Sequence, residues 1–121
     1  MKTITIDGVE YSLTPIKKTE PIILEQNLKF EVYPEDLGDY NWDDANELCE
    51  ELGDGWRLPT REELNLMYLN SSLIKGFSAD YYWSSSEYVN YYAWAQSFSF
   101  GTQNSPSKIL TYPFRAVRTI K

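Results

Sequence analysis

Apolar and polar residues alternate from the start of the chain. In Thr3-Ile4-Thr5-Ile6-Asp7-Gly8-Val9-Glu10-Tyr11-Ser12-Leu13 the alternation breaks only at Asp7-Gly8. An Asp-Gly pair between alternating runs is the signal of a two-residue hairpin turn, because both central residues need positive φ. The pattern therefore predicts an N-terminal β-hairpin with Ile4, Ile6, Val9, Tyr11 and Leu13 as its packed set. Pro15 and the polar Lys17-Lys18-Thr19-Glu20-Pro21 read as a connector. Ile22-Ile23-Leu24 and Leu28-Lys29-Phe30-Glu31-Val32-Tyr33 are strand candidates, and residues 34–40 are a loop.

The period then changes. Trp42, Ala45, Leu48, Cys49 and Leu52 recur at helical spacing, with Asn41 placed to cap the start and Gly53 to end the helix. Asp43, Asp44, Glu47, Glu50 and Glu51 fall on its wet side. Next comes Gly55-Trp56-Arg57-Leu58-Pro59-Thr60-Arg61-Glu62-Glu63-Leu64. Thr60 with Glu63 three residues on is a capping box, so a second helix starts there and runs to about Asn70, with Leu64, Met67, Tyr68 and Leu66 on its apolar face. Pro59 keeps Leu58 extended. On that extended approach Trp56 and Leu58 face inward, and Arg57 points away as a candidate for a structural ion pair. Strands are expected at Tyr81–Ser86, Ala93–Phe100 with Gly101 as a turn, Lys108–Tyr112 and Phe114–Ile120. Two helices followed by several short strands predict an α+β fold, with helices packed on short antiparallel sheets.

Composition narrows the function. At 121 residues the chain can bury a core unaided. Eleven basic against 18 acidic residues give a net charge of −7. That balance argues against nucleic acid, whose binding needs basic contacts to phosphate, and against an anionic membrane surface. No apolar run reaches the roughly 20 residues that span a bilayer. Residues 1–6 alternate like a strand and hold no signal-peptide core, so the expectation is cytoplasmic synthesis without Sec export.

The motifs, taken in order, resemble a known family. They are the Trp42-x-x-Ala45 helix; Trp56-Arg57-Leu58-Pro59-Thr60-x-x-Glu63-Leu64; Tyr82-Trp83-Ser84-Ser85-Ser86-Glu87-Tyr88; Ala93-Trp94 with Phe98-x-x-Gly101; and Arg115-Ala116-Val117-Arg118. Over roughly residues 30–120 this is similar to the Lcl C-terminal domain family, a branch of the C-type lectin-like fold. The same fold includes formylglycine-generating enzymes, with a similar Arg-Leu-Pro-Thr-x-x-Glu run, and the variable receptor-binding proteins of diversity-generating retroelements. The resemblance implies a C-type lectin-like domain over residues 30–121. It also implies core positions for Trp56, Leu58, Trp83, Trp94 and Val117, and a closing strand at Arg115–Arg118. Ala116 stands where cysteine is frequent in the family, which implies a member without a disulfide there. Residues 1–29 fall outside the resemblance and read as an extra strand layer or an attachment arm.

Candidate chemistry is sparse. The chain has no histidine, and Cys49 is its one cysteine, on an apolar helix stripe. Ser-His and Cys-His nucleophile arrangements are therefore missing, as is the late cysteine pair that the formylglycine-generating enzymes use. Asp43/Asp44 and Glu62/Glu63 are adjacent helical carboxylates, better read as solvated or capping than as acid–base pairs. No catalytic residue, cofactor or metal site is assigned. The Glu-Pro-Asn or Gln-Pro-Asp and Trp-Asn-Asp calcium motifs of sugar-binding lectins do not occur, and Trp42-Asp43-Asp44 echoes them only on a helix. Asp36, Asp39, Asp43 and Asp44 read as a solvated acidic surface, with a loosely held cation as the alternative. What stands out is a set of late connections bearing Tyr88, Asn90, Tyr91, Tyr92, Gln103, Asn104 and Ser105. Tyrosine supplies rigid contact area, and Ser, Asn and Gln supply adaptable hydrogen bonds, the palette of a paratope. The expectation is a non-enzymatic binding module, a phage virion component or adhesin, gripping a protein or cell-surface glycan. Contacts to other virion proteins and a homo-oligomer stay open. The alternative is a structural assembly or decoration subunit that uses the lectin-like fold as a scaffold.

Overall fold

The computed structural model describes residues 30–120 in full and three earlier strands through their backbone: β1 (Lys2–Ile6), β2 (Val9–Thr14) and β3 (Ile22–Glu25). The Asp7-Gly8 turn, the Pro15–Pro21 connector and Leu28-Lys29 lie outside the described residues, as do the side chains of the hairpin's expected packed set. β1 and β2 pair antiparallel from Lys2↔Leu13 to Ile6↔Val9, the register of a two-residue hairpin. β4 (Phe30–Val32) pairs with β3 on one side and with the last strand, β10 (Val117–Thr119), on the other. One five-stranded sheet results, in the order β1-β2-β3-β4-β10. The last described strand therefore lies beside an early one.

β5 (Asp39–Tyr40) and β9 (Tyr112–Pro113) make a small two-stranded sheet. β6 (Tyr81–Val89), β7 (Tyr92–Ser97) and β8 (Gln103–Asn104) form a three-stranded meander, with register shifts on either side of Glu87. Three helices lie between the two halves of the chain: α1 (Trp42–Glu51), α2 (Arg61–Leu69) and a single-turn α3 (Ser71–Ile74) that the hydrophobic pattern did not predict. The fold is α+β.

The helices start where the capping residues put them. Asn41 accepts from the Asp44 backbone N–H, and Gly53, at φ +70°, follows the end of α1. At α2 the full capping box forms: the Thr60 hydroxyl accepts from the Glu63 N–H at 3.1 Å, and the Glu63 carboxylate accepts from the Thr60 N–H at 2.9 Å. Thr60→Ala should cost about 1 kcal/mol, read as a lowered midpoint in urea unfolding; an unchanged midpoint would mean that the cap contributes nothing.

Glu63 does more than cap. Arg57 donates to both its oxygens, at 2.7 and 2.9 Å, and also to Thr119 of β10 at 2.9 Å. The Arg57 backbone meanwhile bridges Val117 in both directions. The expected ion pair thus ties the start of α2 to the closing strand. Burial pushes the Glu63 carboxyl up, but the hydrogen bonds from Arg57 and Thr60 and the guanidinium charge outweigh it and hold the group below its ordinary value. A depressed carboxylate contributes stability that is complete above its unfolded pKa and is lost as pH falls through its folded one. Glu63→Gln should therefore lose less stability than the parent between about pH 5 and pH 2, measured by urea unfolding at several pH values. Equal slopes would show the pair to be thermodynamically silent.

Two apolar clusters fill the interior. Phe30, Val32, Leu64, Met67, Tyr82 and Val117 pack between the five-stranded sheet, α2 and β6. Cys49, Trp56, Leu58, Trp83, Phe114 and Ala116 are the main members of the other, against α1. β6 and β7 contribute alternate residues to the two sides: Trp83 and its partner Ala95 face α1, and Tyr82 and its partner Gln96 face α2.

Three expectations need correction. Trp94 is half-buried, not a core residue: it lies on the α2 side with Gln96, where its ring is covered by the Arg61 guanidinium and not by apolar core side chains. Residues 108–110 form a turn, not a strand, closed by the Leu110 N–H on the Ser107 carbonyl, and Ile109 and Leu110 point to solvent. The regular part of the last strand is only Val117–Thr119, and the buried residues 114–116 approach it outside the ladder.

Candidate functional site

The end of the β6–β7 hairpin, residues 87–92, is exposed. β6 continues to Val89, so Tyr88 and Tyr92 stand on strands and only Asn90 and Tyr91 form the turn; all were expected in a loop. Tyr88, Tyr91 and Tyr92 are 59, 76 and 43% exposed, and Val89 is 50% exposed. Ser84, at the base of the same stretch, is buried and donates to the Trp94 carbonyl, so the surface begins beyond it.

Lys108 holds the hairpin tip. Its ammonium donates to the Glu87 carboxylate at 2.6 Å and to the Asn90 carbonyl at 2.8 Å, and its backbone N–H donates to the Tyr91 carbonyl at 2.9 Å. Its own carbonyl accepts from the N–H of Trp42, the first residue of α1, and its Nζ lies 4.3 Å from the centre of the Trp42 ring. The neighbouring segment runs along β7, with the Ala93 N–H on the Pro106 carbonyl and Tyr92 bridged to Ser107. The sequence reading assigned Lys108 to a strand and gave it no role. Nothing local in the sequence marks it, because its partners Glu87, Asn90 and Trp42 are distant along the chain.

A second feature lies below the tip, on the α2 side of β7. Arg61, Glu62, Asn65, Gly101 and Gln103 line an open cleft of about 500 Å³. The Arg61 guanidinium sits 3.6 Å over the Trp94 ring, and the Tyr88 ring meets the same indole edge-on at 5.6 Å. Nε and Nη2 of Arg61 both donate to Gln103 Oε1, at 3.0 and 2.8 Å. Gln103 donates to the Arg61 carbonyl and to Gln96 Oε1. Gln96, fully buried, donates to Asn65 Oδ1 and to the Gly101 carbonyl. Gly101 is required here twice over: its φ is +81°, and an added Cβ would lie 2.6 Å from a Tyr68 ring carbon.

The seven residues expected to bind ligand are thus not one surface. Asn90, Tyr91 and Tyr92 are together at the tip, and Tyr88 joins the tip to the cleft through Trp94. Gln103 lines the cleft. Asn104, next in β8, points to the opposite face and donates to the Tyr81 hydroxyl, and Ser105 is half-buried beyond it. Arg61, Asn65 and Gln96 were not singled out in the sequence, because their placement depends on which strand α2 covers.

The residues 17–118 match the family model for the Lcl C-terminal domain. The chain belongs to the Lcl C-terminal domain family. No curated protein matches it. The Lcl match reaches back to residue 17, before the point where the recognised motifs begin, and so takes in β3. Within this Lcl domain the shared motifs serve architecture: Trp56-Arg57-Leu58 joins the sheet to α2, and Arg115 lies buried beside Asp36. Asp36 is therefore not part of a solvated acidic surface with Asp39, Asp43 and Asp44. Among the described residues, no group of three or more acidic or cysteine side chains is placed to hold a metal ion. Cys49 is buried in the Lcl core, and that burial, with the charge of Glu50, pushes its thiol up to about 12, where no reactive thiolate forms at neutral pH. No helix among the described residues is long and apolar enough to cross a membrane.

Proposed function

We infer that the chain is a non-enzymatic binding module that grips a protein or glycan partner with the β6–β7 tip. The observation that supports this is the exposure of Tyr88, Val89, Tyr91 and Tyr92 together on a hairpin whose backbone Lys108 clamps to α1. Exposed aromatic surface on an ordered support loses little entropy on binding, and contiguous exposed apolar groups mark interaction sites. Displayed on a virion or as an adhesin, the module would present this tip outward. Tyr91→Ala should weaken binding about tenfold or more, as truncation of an aromatic anchor does. The assay is binding of the folded protein to a glycan array and to whole cells, with circular dichroism to confirm the fold. Unchanged binding by Tyr91→Ala and Tyr92→Ala together would reject the tip as the contact.

The alternative reading, a structural subunit, draws on one feature. β1 pairs only with β2 among the described residues, which leaves one edge of the five-stranded sheet available for strand addition. If substitutions in β1 abolish assembly and those at Tyr91 and Tyr92 change nothing, this second reading holds.

A further inference from the structure

We propose that the partner held at the tyrosine tip is a cationic amphipathic segment of another protein, and that the contact runs from the tip across the Ile109-Leu110 turn to the start of α1. This rests on the reading of the tip as a contact surface and names the chemistry of what it contacts. Ile109 is 83% exposed, Leu110 is exposed beside it, and neither belongs to an apolar cluster of the interior. The turn is tied to the elements on both sides of it. The Lys108 N–H donates to the Tyr91 carbonyl at 2.9 Å, and the Lys108 carbonyl accepts from the Trp42 N–H at 3.1 Å. Tyr112, just beyond the turn, pairs with the exposed Tyr40. Exposed apolar residues scattered singly are ordinary, but these adjoin the exposed tip on one hydrogen-bonded support.

The side chains decide the class of partner. Ile109 and Leu110 carry no donor or acceptor. A hydroxyl-rich ligand laid over them would give up water without gaining a hydrogen bond. An apolar protein side chain gains by leaving water there. The rim is acidic: Asp39, Asp43 and Asp44 are exposed and have no ion-pair partner among the described residues. The cation beside them, Lys108, is spent on Glu87, the Asn90 carbonyl and the Trp42 ring, and its side chain is only 14% exposed. An apolar centre with a rim of one sign selects a partner whose own rim carries the other. A second copy of this chain, at net charge −7, would meet like charge, and so would an anionic membrane.

The test uses a pair of synthetic peptides with the same amphipathic leucine pattern, one with lysine and one with glutamate at every polar position, and vesicles of phosphatidylcholine. Each is titrated into the full chain while backbone amides are followed by two-dimensional NMR. The lysine peptide is expected to shift Tyr91, Ile109, Leu110 and Asp43 together, and the glutamate peptide to shift none of them. Ile109→Ser, at an exposed position where the fold should survive, and the double variant Asp43→Asn with Asp44→Asn should each weaken the lysine peptide about tenfold. At about 1 M salt, where the screening length falls to about 3 Å, the double variant should no longer differ from the parent. Shifts at Glu50 and Glu51, at the far end of α1, with Ile109 unmoved would show general charge attraction and overturn the proposal. Equal binding of the glutamate peptide, no shift with either peptide, or shifts at the turn with the vesicles alone would overturn it as well. If Ile109→Ser keeps the glycan or cell binding that Tyr91→Ala loses, this partner assignment fails and the tip reading stands.

Discussion

Asp36→Ala should destabilise the protein by about 3–5 kcal/mol, the cost of leaving a buried charge without its partner. Arg115 is only 1% exposed. Its Nε donates to Asp36 Oδ1 at 3.0 Å, Nη2 lies 2.9 Å from the same oxygen, and Nη1 donates to the Lys75 carbonyl at 2.9 Å. The Phe77 ring covers the guanidinium at 4.1 Å. The other Asp36 oxygen accepts from the Tyr82 hydroxyl, which in turn accepts from the Ser78 N–H. Burial, then the bond to Asp36, pushes the Tyr82 phenol up to about 12, so it stays a donor at every ordinary pH. Lys75 and Gly76 both adopt positive φ, +68° and +85°, which aims the Lys75 carbonyl inward at the guanidinium. The double variant Asp36→Ala with Arg115→Met should recover much of the loss, because it removes the buried charge as well as its partner. Urea unfolding of the two single variants and the double variant measures this. A loss below about 1 kcal/mol for Asp36→Ala would show that water reaches Arg115.

The second large effect is expected at Trp83. It is fully buried, its indole N–H donates to the Tyr40 carbonyl at 2.9 Å, and its ring meets Tyr112 edge-on at 5.1 Å. Trp83→Ala should cost about 3–5 kcal/mol through lost burial and the cavity left behind. Trp83→Phe retains part of the packing and deletes the hydrogen bond, so it should cost less than the alanine variant. Trp94→Ala should cost less again, since that ring is half-buried and carries Arg61 on its outer face. Equal melting temperatures for the Trp83→Ala and Trp94→Ala variants would contradict the full burial of Trp83 and the half-burial of Trp94.

The contrast between those two tryptophans shows where local reading stops. Both sit in strand-like surroundings, and both match motif positions. Trp94 is set between two alanines on the α1 side, and only the register of β6 against β7 reveals that its own parity, shared with the buried Gln96, faces α2. A shift of one residue would exchange the faces. Ile109 and Leu110 misled in the same way: apolar residues in a row suggested a strand, yet the turn closed at Ser107 turns both outward.

The sequence by itself determined both major helices with their caps, Arg57 as one member of an ion pair, the hairpin register at the N-terminus and the α+β class; that Glu63 is the partner came from the structure. The features read from sequence rest on interactions between residues a few positions apart, where chain geometry leaves one arrangement: a cap three residues from its partner, a turn of two residues, a stripe of period 3.6. Only the tertiary structure decided that Asp36 serves Arg115, that Lys108 clamps the tyrosine tip, and that Arg61, Asn65 and Gln103 share a cleft. Those groups are separated by 79, 18 and 42 positions along the chain in the bonds that define them. Their meeting depends on which sheet face each helix covers, and residue type alone does not encode that.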